Sequence, residues 1–199
     1  MDERSSRTLI LASTSPWRRQ VLERLAVPFD VRDPAVDEEA LRHLCPEDMV
    51  RRLAQAKAKA VGDAGALVIG SDQCVDLDGE VLGKPGTSER AVEQLLSMEG
   101  RAHRLLTAVA VHDTDTGITE IDMDVHVLTM RVLGRAAIER YVAHDQPLGC
   151  AGAYMLESRG IALFERIQAD PELADSTAIV GLPLLRTLRM LRRFGWDLP

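Results

Sequence analysis

The sequence predicts an α/β protein, and three stretches carry that reading. Leu9-Ile10-Leu11-Ala12 is a short apolar run that passes directly into Ser13-Thr14-Ser15-Pro16, a strand handing over to a helix. Ala66-Leu67-Val68-Ile69 is a second apolar strand, which ends on Gly70 and delivers the carboxylate of Asp72 at its C-terminal edge. In Ile118 to Leu128, Ile121, Met123, Val125 and Val127 alternate with Asp122, Asp124 and His126, the period of a half-buried antiparallel strand. Open α/β sheets place ligands at strand ends, which makes Asp72 a candidate site residue. Ser and Asp are equally ordinary in turns, so the stretch by itself leaves turn and site open.

A chain of 199 residues, 46% hydrophobic and 28% charged, suits one soluble globular domain over residues 1–199, with residues 1–7 as a polar, flexible extension. The net charge of 24 − 31 = −7 provides no global basic field for nucleic acid, so an anionic ligand needs a local cluster of cations. Cys45, Cys74 and Cys150 are too far apart to form a CxxC pair, which argues against a structural zinc or a disulfide framework. No leader-like or membrane-length apolar segment is visible, so the expected setting is a reducing cytoplasm without a membrane partner.

Taken in order, Ser15 is a helix N-cap and Pro16 the first helical residue, with Val21, Leu22 and Leu25 as the apolar face. Free backbone amides, the hydroxyls of Ser13 and Ser15, and the guanidinium groups of Arg18 and Arg19 gather there, a pattern suited to phosphate. Phe29 to Val31 forms a second strand, followed by an acidic loop from Asp33 to Glu39. Pro46 to Val61 is a helix, with Met49, Val50, Leu53, Ala54 and Ala58 facing inward and Arg51, Arg52, Lys57 and Lys59 mostly outward. Asp78-Gly79 turns a hairpin between two apolar pieces. Gly83-Lys84-Pro85 superficially suggests a Walker A loop. It fails that test, because only three residues separate Gly79 from Gly83 and Pro85 stands where Ser or Thr should be.

Thr87 starts a helix that stops at Gly100, and Arg104 to Val111 is a strand leading to the antiparallel one. Asp122, Asp124 and His126 are expected on its solvated face, with a metal site there as the lesser alternative. A helix follows from Arg135 to His144, then a loop of small residues from Pro147 to Tyr154. Glu157 precedes a strand from Ile161 to Ile167, and Ile179-Val180-Gly181-Leu182-Pro183 opens the last helix, which ends near Phe194. No repeat or low-complexity tract divides the chain.

In this order the segments Leu11 to Arg19, Val36-Asp37-Glu38, Ala56-Lys57-Ala58, Ile69 to Gln73, Gly83-Lys84-Pro85, Ala151-Gly152 and Val180 to Pro183 resemble the Maf family of nucleoside triphosphate pyrophosphatases. Trp17, Gln73 and Glu157 are similar to the branch that hydrolyses 7-methyl-GTP, where another branch takes dTTP and UTP. The resemblance implies a Maf/ITPase-like fold, a curved mixed β-sheet flanked by helices with a nucleotide cleft between two lobes. It also implies cleavage between the α- and β-phosphates with a divalent cation, Mg²⁺ or Mn²⁺. By resemblance Asp72 is the catalytic acid, and Ser13, Ser15, Arg18, Arg19, Lys57 and Lys84 bind phosphate. Trp17, Gln73 and Glu157 set specificity. There are two departures: Ser158-Arg159 follows Glu157 where a glycine is expected, and Asp170 to Ser176 is longer than the family pattern.

These residues suit the chemistry. Phosphoryl transfer depends on positioning and charge neutralisation, which the Arg and Lys residues and a metal would supply. Asp72 fits two tasks, base toward water or metal ligand, with Glu38 as the second metal carboxylate. N7-methylation makes guanine a cation, and a Trp17 face attracts a cation while Glu157 accepts from the guanine N1–H and amine. The expected partner is a small nucleotide, with monomer and homodimer both open. The alternatives are a pyrophosphatase for dTTP, UTP or other non-standard nucleotides, and a nucleotide-binding regulator of cell division with little turnover.

Overall fold

Strand β1 (Thr8–Ala12) is buried from Leu9 onward. In a computed structural model that describes residues 7–169, 171, 173–196 and 198, it lies between two parallel neighbours, β2 (Asp30–Arg32) and β3 (Ala66–Leu77). Helix α1 (Pro16–Glu23) links β1 to β2, and α2 (Pro46–Ala60) links β2 to β3. The Ser15-Pro16 start behaves as the sequence predicts: the Ser15 hydroxyl accepts a 3.4 Å hydrogen bond from the Arg18 amide. Most of the expected extension, residues 1–6, lies outside the described residues, whereas Arg7 donates to the Asp113 carboxylate at 3.2 Å.

After β3 the chain turns through Asp78 and Gly79, at φ 55° and 91°, into β4 (Glu80–Leu82). Positive φ at both central residues is what a tight type I′ hairpin requires. Then come α3 (Ser88–Met98), β5 (Ala102–Asp113), β6 (Thr119–Met130), α4 (Arg135–Asp145), β7 (Phe164–Gln168) and α5 (Leu184–Arg193). The strands form one mixed sheet in the order β2-β1-β3-β5-β6-β7, with β4 beside β3. The expected α/β fold, a mixed sheet flanked by helices, is therefore present. No described helix is long and apolar enough to cross a membrane.

The chain divides into two compact units. The first takes in residues up to Asp72, Thr107–Asp124 and the segment from Asp175 onward; the second takes in Gln73–Leu106 and Val125–Ala174. In the first, Leu9, Leu11, Leu67 and Ile69 face Val21 and Leu22 of α1 and Met190 and Leu191 of α5. The alternate residues Ile10, Ala12, Ala66 and Val68 form the core of the opposite sheet face. In the second unit Ala91, Leu95 and Met98 of α3 and Ile138 and Val142 of α4 are buried, as are Cys74 and Val75 of β3.

Three elements differ from expectation. Strand β3 does not stop at Gly70 but runs on to Leu77, so Asp72 is mid-strand; what ends at Gly70 is the pairing with β1, whose last residue, Ala12, lies opposite it. In β6 the polar face is the buried one: Asp124 and His126 are buried, whereas Val125 and Val127 are only partly covered. Arg186 of α5 makes this tolerable, because it pairs with Asp122 and Asp124, each at 3.2 Å. Residues Arg159–Leu163 form tight 3₁₀ turns, so the seventh strand starts later than its apolar run predicts.

Candidate functional site

Gly70 determines how closely α2 lies on β3. A Cβ at this position would stand 2.3 Å from the Ala54 carbonyl oxygen and 2.5 Å from the Ala58 amide nitrogen. Glycine is therefore present for a close backbone approach rather than to stop the strand. Asp72 is two residues further along the same face, and Lys57 projects from the approaching turn of α2. The Lys57 ammonium donates to Asp72 Oδ1 at 2.7 Å and pairs with Glu38 at 2.5 Å. Both members of the Lys57–Asp72 pair are buried, with side chains 7% and 9% exposed. Lys57 thus faces inward, on the same stripe of α2 as Leu53 and Ala54, against the expectation of an outward lysine, and two carboxylates receive its charge there.

Burial raises the Asp72 pKa above the usual carboxylate value, and the Lys57 and Arg18 charges pull against that rise. Burial likewise lowers the Arg18 pKa, opposed by Asp72 and Glu38. The electrostatic coupling therefore joins α1, the acidic loop, α2 and β3 around one carboxylate.

On the opposite face of β3, Ser71 is fully buried, and its hydroxyl lies 2.8 Å from the carbonyls of both Ala108 and Gly181. Its single proton serves one of them at a time. The Gly181 carbonyl also accepts from Arg18 Nε at 3.0 Å, while Arg18 Nη1 donates to Ser13 Oγ at 3.4 Å. Ser13 Oγ in turn accepts from the Ser15 amide at 3.2 Å. Asp175 and Thr177 fix the turn that presents Gly181: their side chains accept from the Leu185 and Leu184 amides at 2.7 and 2.8 Å, capping α5. Sequence reasoning did not single out Ser71, Asp175 or Thr177. The run Asp-Ser-Thr ahead of a helix start was the available signal.

Ser13, Ser15, Arg18, Lys57, Glu38 and Asp72 are therefore joined by hydrogen bonds or charge. Arg19 points away and bridges Glu23 at 2.8 Å on the surface of α1. Trp17, in the first turn of α1, is 36% exposed and lies outside the buried core. In the second unit, Gln73 is partly buried, and Lys84 and Glu157 are exposed. Lys84 and Glu157 act on one group: burial and Glu157 raise the Cys150 thiol pKa and Lys84 lowers it. The Gly86 amide donates to the Leu148 carbonyl at 3.0 Å, which ties the Lys84 loop to the loop bearing Cys150.

Among the described residues no group of three or more His, Cys, Asp or Glu stands ready to hold a metal. Asp72 and Glu38, converging on one ammonium, are two hard oxygen donors. Mg²⁺ is typically held by one or two carboxylates together with substrate phosphates, so this pair fits that role.

Residues 8–194 match the model of a family described as Maf-like protein. The chain is 45% identical over 197 residues to the 7-methyl-GTP pyrophosphatase of Albidiferax ferrireducens, covering 98% of this chain and 97% of that protein. It is 48% identical over 193 residues to the 7-methyl-GTP pyrophosphatase of a Polaromonas species, covering 96% and 86%. Among solved structures, the Ham1 protein of Staphylococcus aureus overlays with a TM-score of 0.45 at 18% identity, covering 62% of this chain and 72% of that one.

Proposed function

Because this chain belongs to the Maf family, we propose that it hydrolyses 7-methyl-GTP at the α–β phosphoanhydride, giving 7-methyl-GMP and pyrophosphate. The observation that carries the reaction is the buried Asp72 carboxylate, hydrogen-bonded to Lys57 and electrostatically coupled to Arg18. A raised carboxylate pKa brings a general base closer to neutral pH. Lys57 holds Oδ1 and orients the group, and we assign Oδ2 to the attacking water. That water adds to phosphorus, its proton passes to Asp72, the bridging bond breaks, and pyrophosphate leaves.

Arg18, Ser13 and the first amides of α1 offer donors to the phosphates, and the family motif Gly83-Lys84-Pro85 is what supports Lys84 as a further phosphate-binding cation. In the other of its two tasks Asp72, beside Glu38, would hold a divalent cation such as Mg²⁺, which would neutralise phosphate charge. Substrate choice is supported by the activity named for the relatives and by the exposed indole of Trp17, which suits stacking on a cationic base. The family resemblance is what supports Glu157 and Gln73 as further residues for base selection. The three free cysteines suit a reducing cytoplasm.

The test is a panel of nucleoside triphosphates assayed with Mg²⁺ for pyrophosphate release. Preference for 7-methyl-GTP supports the reading. Preference for dTTP or UTP would move the chain to the pyrimidine class, and release from none would leave a nucleotide-binding regulator.

A further inference from the structure

Two side chains on one face of α4 hold the turn that carries Glu157. Tyr141 and Asp145 stand one helical turn apart and project in the same direction. The Tyr141 hydroxyl accepts from the Met155 amide at 3.1 Å, and Asp145 Oδ2 accepts from the Arg159 amide at 3.1 Å. Those amides lie two residues before and two residues after Glu157, so the two contacts flank it on the chain. The turn also closes on itself. The Ser158 amide donates to the Met155 carbonyl at 3.2 Å, and a Cβ on Gly160 would stand 2.3 Å from that same oxygen.

The glycine expected soon after Glu157 is therefore met by Gly160, one residue beyond Ser158-Arg159. Tyr141 is buried, and the Asp145 side chain is only 1% exposed although it sits at the last turn of its helix. The second oxygen of Asp145 lies 2.7 Å from His144 Nδ1, which further restrains the carboxylate. Glu157 itself is exposed. A flexible exposed carboxylate discriminates poorly, since ordering it on binding costs entropy; a turn pinned at both ends reduces that cost.

We propose that Tyr141 and Asp145 are positioning residues for base selection, clamping the Met155–Gly160 turn so that Glu157 meets the base in a fixed orientation. This rests on the reading of Glu157 as the base-recognising carboxylate. A purely structural clamp would affect all nucleotides alike, whereas a positioning clamp changes preference among them.

The experiment compares kcat/KM for 7-methyl-GTP and for UTP in wild type, Glu157→Gln, Tyr141→Phe, Asp145→Ala and the double variant Tyr141→Phe/Glu157→Gln. Tyr141→Phe should lower the 7-methyl-GTP to UTP ratio about three- to tenfold, the size of one lost hydrogen bond, mainly through KM. In the Glu157→Gln background the same substitution should add nothing. Asp145→Ala should act in the same direction, and serves as the readout if Tyr141→Phe does not fold. An unchanged ratio in Glu157→Gln would show that Glu157 does not read the base. A lowered ratio in Glu157→Gln with unchanged ratios in both clamp variants, or independent multiplication in the double variant, would overturn the clamp.

Discussion

Lys57 of α2 and Asp72 of β3 form a buried ion pair with a 2.7 Å hydrogen bond, and Glu38 shares the same ammonium. Removing one member of a buried pair leaves the other charge uncompensated, at a typical cost of about 3 kcal/mol or more. Lys57→Met should therefore lower the melting temperature as well as turnover. It should also move the acidic limb of the pH–rate profile to higher pH, because the Lys57 charge opposes the rise of the Asp72 pKa. A limb at its original pH would separate Lys57 from the ionisation of Asp72.

Trp17 exposes its indole one residue ahead of Arg18. Its loss should weaken a cationic base more than a neutral one, by up to about 2 kcal/mol if the site is desolvated. Trp17→Ala is expected to raise KM for 7-methyl-GTP more than for GTP. Equal increases would assign Trp17 to packing alone.

Gly70→Ala places a methyl group against the backbone of α2, where neither the Ala54 carbonyl nor the Ala58 amide has a side chain to rotate away. Overpacking of this kind costs roughly 1–3 kcal/mol or more. The variant should unfold at a lower temperature and lose activity, because pushing α2 off β3 also draws Lys57 from Asp72. Wild-type stability in calorimetry would contradict the close packing.

His103 is buried between Tyr154 and Phe164, with ring centroids 5.7 Å from each, and burial lowers its pKa from 6.5 to about 4. The unfolded imidazole takes up its proton near pH 6.5, the folded one only near pH 4. Stability should therefore fall as pH drops from 6.5 toward 4 and lose no more to this group below that, with about 3 kcal/mol at stake. Denaturant midpoints measured across this range should show the slope in wild type and a flatter one in His103→Leu.

Local chemistry was legible in the sequence. Ser15-Pro16 starts α1, Asp78-Gly79 turns the hairpin, and the apolar face of α2 faces inward, because each depends on neighbours within a turn or two. Features set by partners distant in the chain were not. Lys57 falls on the apolar stripe of α2, four residues after Leu53, yet a lysine reads as outward by its charge until Asp72, fifteen residues on, is seen to receive it. Asp124 reads as a solvated acid until Arg186, 62 residues on, neutralises it. Gly70 reads as a stop because the backbone of α2, which requires the missing Cβ, is invisible in the local pattern. The candidate site was named mainly through family motifs, and the structure adds the connections among its residues: Arg18 to Gly181 and Ser13, and Ser71 to Gly181.

The most direct measurement is the product pattern from 7-methyl-GTP with Mg²⁺, followed by chromatography and mass spectrometry in wild type and Asp72→Asn. Wild type should yield 7-methyl-GMP and pyrophosphate in equal amounts, and Asp72→Asn should bind the nucleotide with turnover reduced by orders of magnitude. 7-methyl-GDP and phosphate as products, or an Asp72→Asn variant as active as wild type, would contradict α–β cleavage centred on Asp72.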